Sequence, residues 1–159
     1  MNHAASPCPR MLTYRPPRIA FALLATAGVL QLAAPTAWAW PHLPSSPGGG
    51  AILAVLGFLV MLRAWWLFRV HKTAICPTAR TTTLITGDIY GLTRNPMYLG
   101  MVLMLLGIAI GSGGLFFYLA ALTFGLIINI VFCPYEESKL AHAYGAEFTR
   151  YRDTVRRWL

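Results

Sequence analysis

The chain has 159 residues, of which 57% are hydrophobic and only 11% charged, and its net charge at neutral pH is +8. Water-soluble domains carry about a quarter charged residues, so this composition excludes an ordinary soluble fold, while the length suits a single domain. The basic residues flank apolar runs instead of forming one patch, which points to anionic lipid headgroups as the partner and away from nucleic acid.

The first 18 residues hold Arg10, Arg15 and Arg18 but no readable motif, and are expected to form a disordered basic tail. Between Arg18 and Arg63 there is no Lys, Arg, Asp or Glu, and between Arg94 and Glu136 there is neither a charged residue nor a histidine. A hydrocarbon core of ~30 Å takes about 20 apolar residues per helix, so each blank stretch holds two spans. The expected spans are residues 19–40, 51–70, 97–111 and 115–133. A Pro-, Ser- and Gly-rich linker separates the first pair, and the turn Gly111-Ser112-Gly113-Gly114 separates the second. The first apolar run also has the outline of a signal peptide, with Ala37-Trp38-Ala39 as a cleavage site. It is long for that role, and its removal would leave three spans with polar segments on inconsistent sides, so a retained helix is expected. In the second span Arg63 interrupts the apolar run. The expectation is that it snorkels to the headgroups beside Trp65 and Trp66; the alternative is a buried ligand for an anionic group.

Orientation follows from the basic residues. Arg10, Arg15 and Arg18 precede the first span. Arg69, Lys72, Arg80 and Arg94 lie between the second and third, and Lys139, Arg150, Arg152, Arg156 and Arg157 follow the fourth. The two remaining turns have none. A multi-pass protein with both termini cytoplasmic satisfies the positive-inside rule, and all five acidic residues fall on the same side. The expected fold is therefore all-α and integral to the membrane: one domain over residues 19–159, with about four transmembrane helices and a C-terminal amphipathic interfacial helix. Cys8, Cys76 and Cys133 form no CxxC pair and no Cys/His spacing, so neither a disulfide framework nor a metal site is expected.

Three segments on the inner side carry possible chemistry. Residues 80–96 read as an extended piece, a turn at Gly87-Asp88 and a helix entry, with Asn95 as N-cap and Pro96 at the first helical position. Free N–H groups there favour an anion, and Gly100 lets a ligand or another helix come close. The plainer reading is a capped span with an interfacial Arg94. At the exit of the fourth span, Pro134 is expected to end one helix and start another. That would put Glu136 and Glu137 in a first turn, where the dipole favours negative charge; equally, a carboxylate here could bind a cationic group. Residues 135–159 repeat apolar positions Leu140, Ala141, Tyr144, Phe148, Tyr151, Val155 and Trp158 at helical steps. This is an amphipathic helix that Gly145 weakens or bends, suited to anchoring on the leaflet or covering the loop.

Thr83-Leu84-Ile85-Thr86-Gly87, then Tyr90, then Arg94-Asn95-Pro96-Met97-Tyr98-Leu99-Gly100 resembles the signature of the isoprenylcysteine carboxyl methyltransferase family, a relative of the phospholipid methyltransferases. Glu136-Glu137 with Leu140, Tyr144-Gly145, Phe148, Tyr151 and Val155 is similar to that family's C-terminal signature. The likeness covers about half the chain. It implies a methyltransferase using S-adenosyl-L-methionine, with Thr82, Thr83, Leu84, Ile85, Tyr90, Asn95, Pro96, Met97, Tyr98 and Glu136 at the cofactor. It implies a lipophilic acceptor, with a carboxylate, thiol or amine nucleophile, that meets Arg94 and Phe132 and arrives from the bilayer. Glu137 and Tyr98 are the candidate bases for an amine. Two departures stand out: Asn95 replaces a frequent His, and Phe132 lies near where lipid-cysteine enzymes carry an Arg. The acceptor end therefore does not match the eukaryotic pattern. Two other classes compete, a non-catalytic membrane anchor or assembly protein and a small four-helix transporter. The transporter lacks the mid-membrane ionisable group that proton coupling needs.

Overall fold

The computed structural model describes residues 16–33, 43, 45–71 and 83–159. All regular structure in these residues is helical. Helix α1 is Pro16–Ala33, α2 is Pro47–Val70, α3 is Pro96–Ser112 and α4 is Leu115–Ile127. A wide π turn, Ile128–Phe132, leads into α5 (Cys133–Tyr144), and α6 is Ala146–Thr154. Three stretches are long and apolar enough to cross a membrane: Pro16–Ala33, Pro47–Val70 and Leu115–Tyr144. The apolar α3 has 17 residues, about 26 Å at ~1.5 Å per residue, close to the thickness of a bilayer core.

The helix starts are written locally. Ser46 caps α2 by accepting the Gly49 N–H at 3.2 Å, and Pro47 follows it. Proline at the first position needs no N–H partner, so three successive glycines enter the helix and α2 begins four residues earlier than expected. Asn95 and Pro96 occupy the predicted start of α3, but the Asn95 side chain makes no capping bond. Its amide donates instead to the Arg157 carbonyl at 3.4 Å. At the other end Gly113, with φ of +67°, closes α3 by donating to the Ala109 carbonyl at 2.9 Å.

Helix α3 is the centre of the bundle, packed along α2 on one side and on α4 on the other, with α1 against α4. Lipid tails are as apolar as leucine, so helices associate in a bilayer by close backbone approach. The α2–α3 seam is built from facing glycines. A Cβ on Gly57 would lie 2.6 Å from the Gly100 carbonyl oxygen, and one on Gly100 would lie 2.8 Å from the Met61 nitrogen. Gly100 thus admits a neighbouring helix. On the other face, Tyr98, Met101 and Leu105 of α3 interlock with Ala121, Phe124, Ile128 and Phe132. Phe21 and Leu32 of α1 and Ile52, Val55 and Phe58 of α2 point outward, as lipid-facing residues do.

Two expectations for the C-terminal half are corrected. Pro134 does not end a helix: the chain runs helically from Leu115 to Tyr144. A proline inside a helix loses one hydrogen bond and crowds the carbonyl four residues back. The π turn just before it widens the coil and takes up the mismatch. Glu136 and Glu137 therefore do not sit at a free helix end, and the helix dipole does not account for them. Residues 135–159 are also not one helix. Gly145, with φ of +52° and ψ of −120°, breaks α5 from α6. After Thr154 the chain leaves helical form and returns as a strap to the start of α3.

Candidate active site

The site is assembled from the loop before α3, the π turn and α5, and the strap. Ile85 is buried with Ala64, Leu67 and Tyr90, and so anchors the loop to α2. The Tyr90 ring stands edge-on to Phe68, centroids 5.8 Å apart. Tyr90 sits in a 3-10 turn, Asp88–Gly91, which begins on Asp88 with φ of +58°, a left-handed conformation costly for most side chains but tolerated by Asp. Arg63 of α2 grips both Asp88 oxygens, its Nε at 3.2 Å, and the Ile89 N–H donates to Asp88 Oδ1 at 2.7 Å. Arg63 is half exposed and its partner is the exposed Asp88, not a buried anion, so its side chain fastens the loop. Its guanidinium holds the Asp88 carboxyl below the usual aspartate range. The grip is accordingly intact at neutral pH and is lost only as pH falls through that lowered value. Arg63→Gln should speed amide exchange at Ile89 and Tyr90 with little change in melting temperature, because half-exposed pairs contribute modestly; unchanged exchange would show that the grip does not hold the loop.

Helix α6 and the strap fix the other side. Tyr151 donates to the Tyr90 carbonyl at 2.7 Å, and burial pushes its phenol up to about 12, so it stays a donor at neutral pH. Thr93 donates to the Arg157 carbonyl at 2.9 Å and the Arg94 N–H to the Arg156 carbonyl at 3.0 Å. The Arg157 guanidinium forks onto Glu137, with Nε and Nη2 each 2.8 Å from a carboxylate oxygen. Asn129, in the π turn, accepts from Arg157 Nη1 at 3.3 Å and from the Trp158 indole at 3.0 Å.

Between these elements lies a cavity of about 430 Å³, within the ~300–1,000 Å³ typical of small-molecule sites. Its wall carries the polar side chains of Arg94, Asn95, Tyr98, Glu136 and Glu137 together with apolar ones from Pro16, Pro17, Phe68, Met97, Met101 and Leu140, and Tyr90, Pro96, Phe148 and Tyr151 complete it. Tyr98 donates to Glu136 Oε1. Arg94 is unusual. Its side chain is only 12% exposed, its nearest acid is Glu137 Oε1, 3.5 Å from Nη1, and its buried Nε and Nη1 make no hydrogen bond. A buried guanidinium with unsatisfied donors is costly unless a ligand completes it.

Of the residues singled out in the sequence, Tyr90, Arg94, Asn95, Pro96, Met97, Tyr98, Glu136 and Glu137 line this one cavity. Thr82 lies outside the described residues. Thr83, Leu84 and Ile85 are not in its wall, and Phe132 is fully buried behind Tyr98, ring centroids 6.3 Å apart. Sequence reasoning passed over Asn129 and the role of Arg157. A lone amide inside a long apolar run was the available signal for Asn129. Arg157 carried none, since on a helical wheel it is one more surface cation. Among the described residues no group of His, Cys, Asp and Glu could hold a metal ion.

The phospholipid methyltransferase family matches residues 48–147. The chain belongs to that family. The matched stretch runs from the start of α2 into α6. It contains the glycine seam, the Arg94–Tyr98 corner and the Glu136–Glu137 pair of this phospholipid methyltransferase relative, while α1 and the strap lie outside it. An uncharacterized protein of Haemophilus influenzae is 38% identical over 63 residues, 40% of this chain and 100% of that protein. No solved structure matches. Family membership and the three long apolar helices identify an integral membrane protein of a methyltransferase family.

Proposed function

We propose that this protein transfers a methyl group from S-adenosyl-L-methionine to a lipophilic, membrane-associated acceptor at the cytoplasmic face of the membrane. One observation carries the reading: two polar segments far apart in sequence, Arg94–Tyr98 and Glu136–Glu137, meet in one cavity whose wall offers a carboxylate and an incompletely bonded guanidinium. S-Adenosylmethionine is cationic at its sulfonium and amine and anionic at its carboxylate, so this donor set fits it. When bound, it supplies a methyl group activated for in-line displacement.

The chain's own residues bind and orient. Glu136 offers its charge to the cationic part, and the Tyr98 hydroxyl holds that carboxylate in place. Arg94 offers its unbonded nitrogens to the carboxylate. Asn95, committed to the strap, shapes the wall. The apolar part of the lining receives the acceptor's hydrocarbon part and keeps water from the transfer, where positioning is worth more than acid–base help. An acceptor that arrives as a carboxylate or thiolate needs no base. An amine must lose a proton, and with Glu137 held by Arg157 the Glu136–Tyr98 pair is the group left to take it. The basic residues Arg63, Arg69 and Arg94 fall toward the end of α2 and just before the start of α3, and the positive-inside rule would turn that end to the cytoplasm. An anchor without catalysis would leave the cavity and its polar groups without a purpose.

Calorimetric titration of the detergent-solubilised protein with S-adenosylhomocysteine tests the proposal. Saturable one-site binding is expected; no binding by protein that retains its helical circular dichroism would remove it.

A further inference from the structure

Arg157 stands outside the stretch matched by the family, yet its side chain makes more polar contacts at the cavity rim than any other described in the strap. Two adjacent acids, Glu136 and Glu137, and the guanidinium of Arg94 line the cavity, and a second guanidinium, Arg157, reaches Glu137 from outside the wall. Only one of the four possible cation–acid pairings is a two-pronged bond, Arg157 on Glu137 with both contacts at 2.8 Å. Asn129 steadies the fork from behind through Arg157 Nη1. Arg94 makes only a long ion pair with the same carboxylate, 3.5 Å from Nη1, and its Nε and Nη1 hydrogen-bond nothing.

We propose that Arg157 is a positioning residue: by occupying both oxygens of Glu137, it keeps Arg94 from closing onto that acid and so leaves Arg94 free to bind an anionic group in the cavity. The idea rests on the cofactor reading above, in which that group is the carboxylate of the cofactor's amino-acid end. Without the fork, Glu137 would be a buried carboxylate lacking its partner, and the nearest cation is Arg94. A charge in such a place takes the closest opposite charge, because an unpaired buried ion is costly. Arg94 would then be consumed within the protein. Arg157 acts on the ligand only through that competition.

The competition predicts a rescue. Arg157→Gln should weaken S-adenosylhomocysteine binding about tenfold, the scale of one charge-assisted hydrogen bond. Adding Glu137→Gln to the same chain removes the acid that captures Arg94 and should restore affinity to within about threefold of the parent. Binding of 5′-methylthioadenosine, which has no carboxylate, should be the same in the parent and in Arg157→Gln. An unchanged affinity in Arg157→Gln overturns the proposal. So does a double variant as weak as the single one, or an equal loss for methylthioadenosine, since either shows Arg157 to be only a tie for the strap. If Arg157→Gln does not fold, Arg157→Lys takes its place: a lysine keeps the charge but cannot fork, and a smaller loss, again reversed by Glu137→Gln, is expected. A lysine variant that binds as the parent does, or whose loss Glu137→Gln leaves in place, overturns it. Parent protein that binds no S-adenosylhomocysteine refutes the cofactor reading instead, so the two failures are distinct.

Discussion

Changing Glu136 to glutamine should lower the affinity for S-adenosylmethionine by about a hundredfold, the scale of losing one partner of a buried charge pair, while the helical content stays intact. The substitution is close to isosteric. A glutamine oxygen can still accept from Tyr98, so the wall keeps its shape and only the negative charge is removed. The ligand's two cationic groups make the experiment more informative. S-Adenosylhomocysteine keeps the ammonium but lacks the sulfonium. If Glu136 faces the sulfonium, the loss should be larger for S-adenosylmethionine; if it faces the ammonium, the two losses should match. Tyr98→Phe should act in the same direction but more weakly, since it frees the carboxylate without discharging it. Equal affinity in Glu136→Gln and the parent would take Glu136 out of the site.

The second large effect is structural. Gly100→Leu should lower the unfolding temperature in detergent by more than ten degrees or so, the consequence of forcing a large side chain into a closed interface. Even the first added carbon would sit 2.8 Å from the Met61 nitrogen, and backbone atoms cannot swing aside as a side-chain tip can. Gly57→Leu should do the same from the opposite helix, meeting the Gly100 carbonyl oxygen at 2.6 Å. Binding should fall along with stability, because Tyr98 lies half a turn from Gly100 and moves with it. Gly28→Ala in α1 is the control. Nothing lies within 4 Å of a Cβ placed there, so the exchange should be neutral or slightly stabilising through the lower chain entropy of alanine. A Gly100→Leu protein that melts like the parent would mean that α2 and α3 do not share the close seam described.

Much of this protein was legible one residue at a time. The long intervals without charge bounded the helices, because an unpaired charge in hydrocarbon is costly wherever it falls. Pro96 and the Gly111–Gly114 turn marked the two ends of α3, and within that turn it is Gly113, with its positive φ, that closes the helix. The Glu136–Glu137 pair stood out because two carboxylates at a membrane boundary need a reason to be there, whereas the Arg94–Tyr98 corner read locally as a capped helix start and was marked as a site by the family resemblance. These features depend on local chemistry and on the solvent, and both can be read without the fold.

What only tertiary structure decided is who partners whom. Pro134 looked like a stop, but the π turn upstream carried the helix through it. Asn95 looked like a cap, but the returning strap offered its amide a carbonyl from residue 157. Ile85 looked like a cofactor contact, but it packs with Ala64 and Leu67 of α2. Glu136 and Glu137 are neighbours in the chain and equivalent on paper. Both line the cavity, but one receives a tyrosine and the other an arginine from twenty residues on. Pairings of this kind are set by which donors the packed helices bring within about 3 Å, and helical periodicity holds no information about segments that meet only after the chain has turned back on itself.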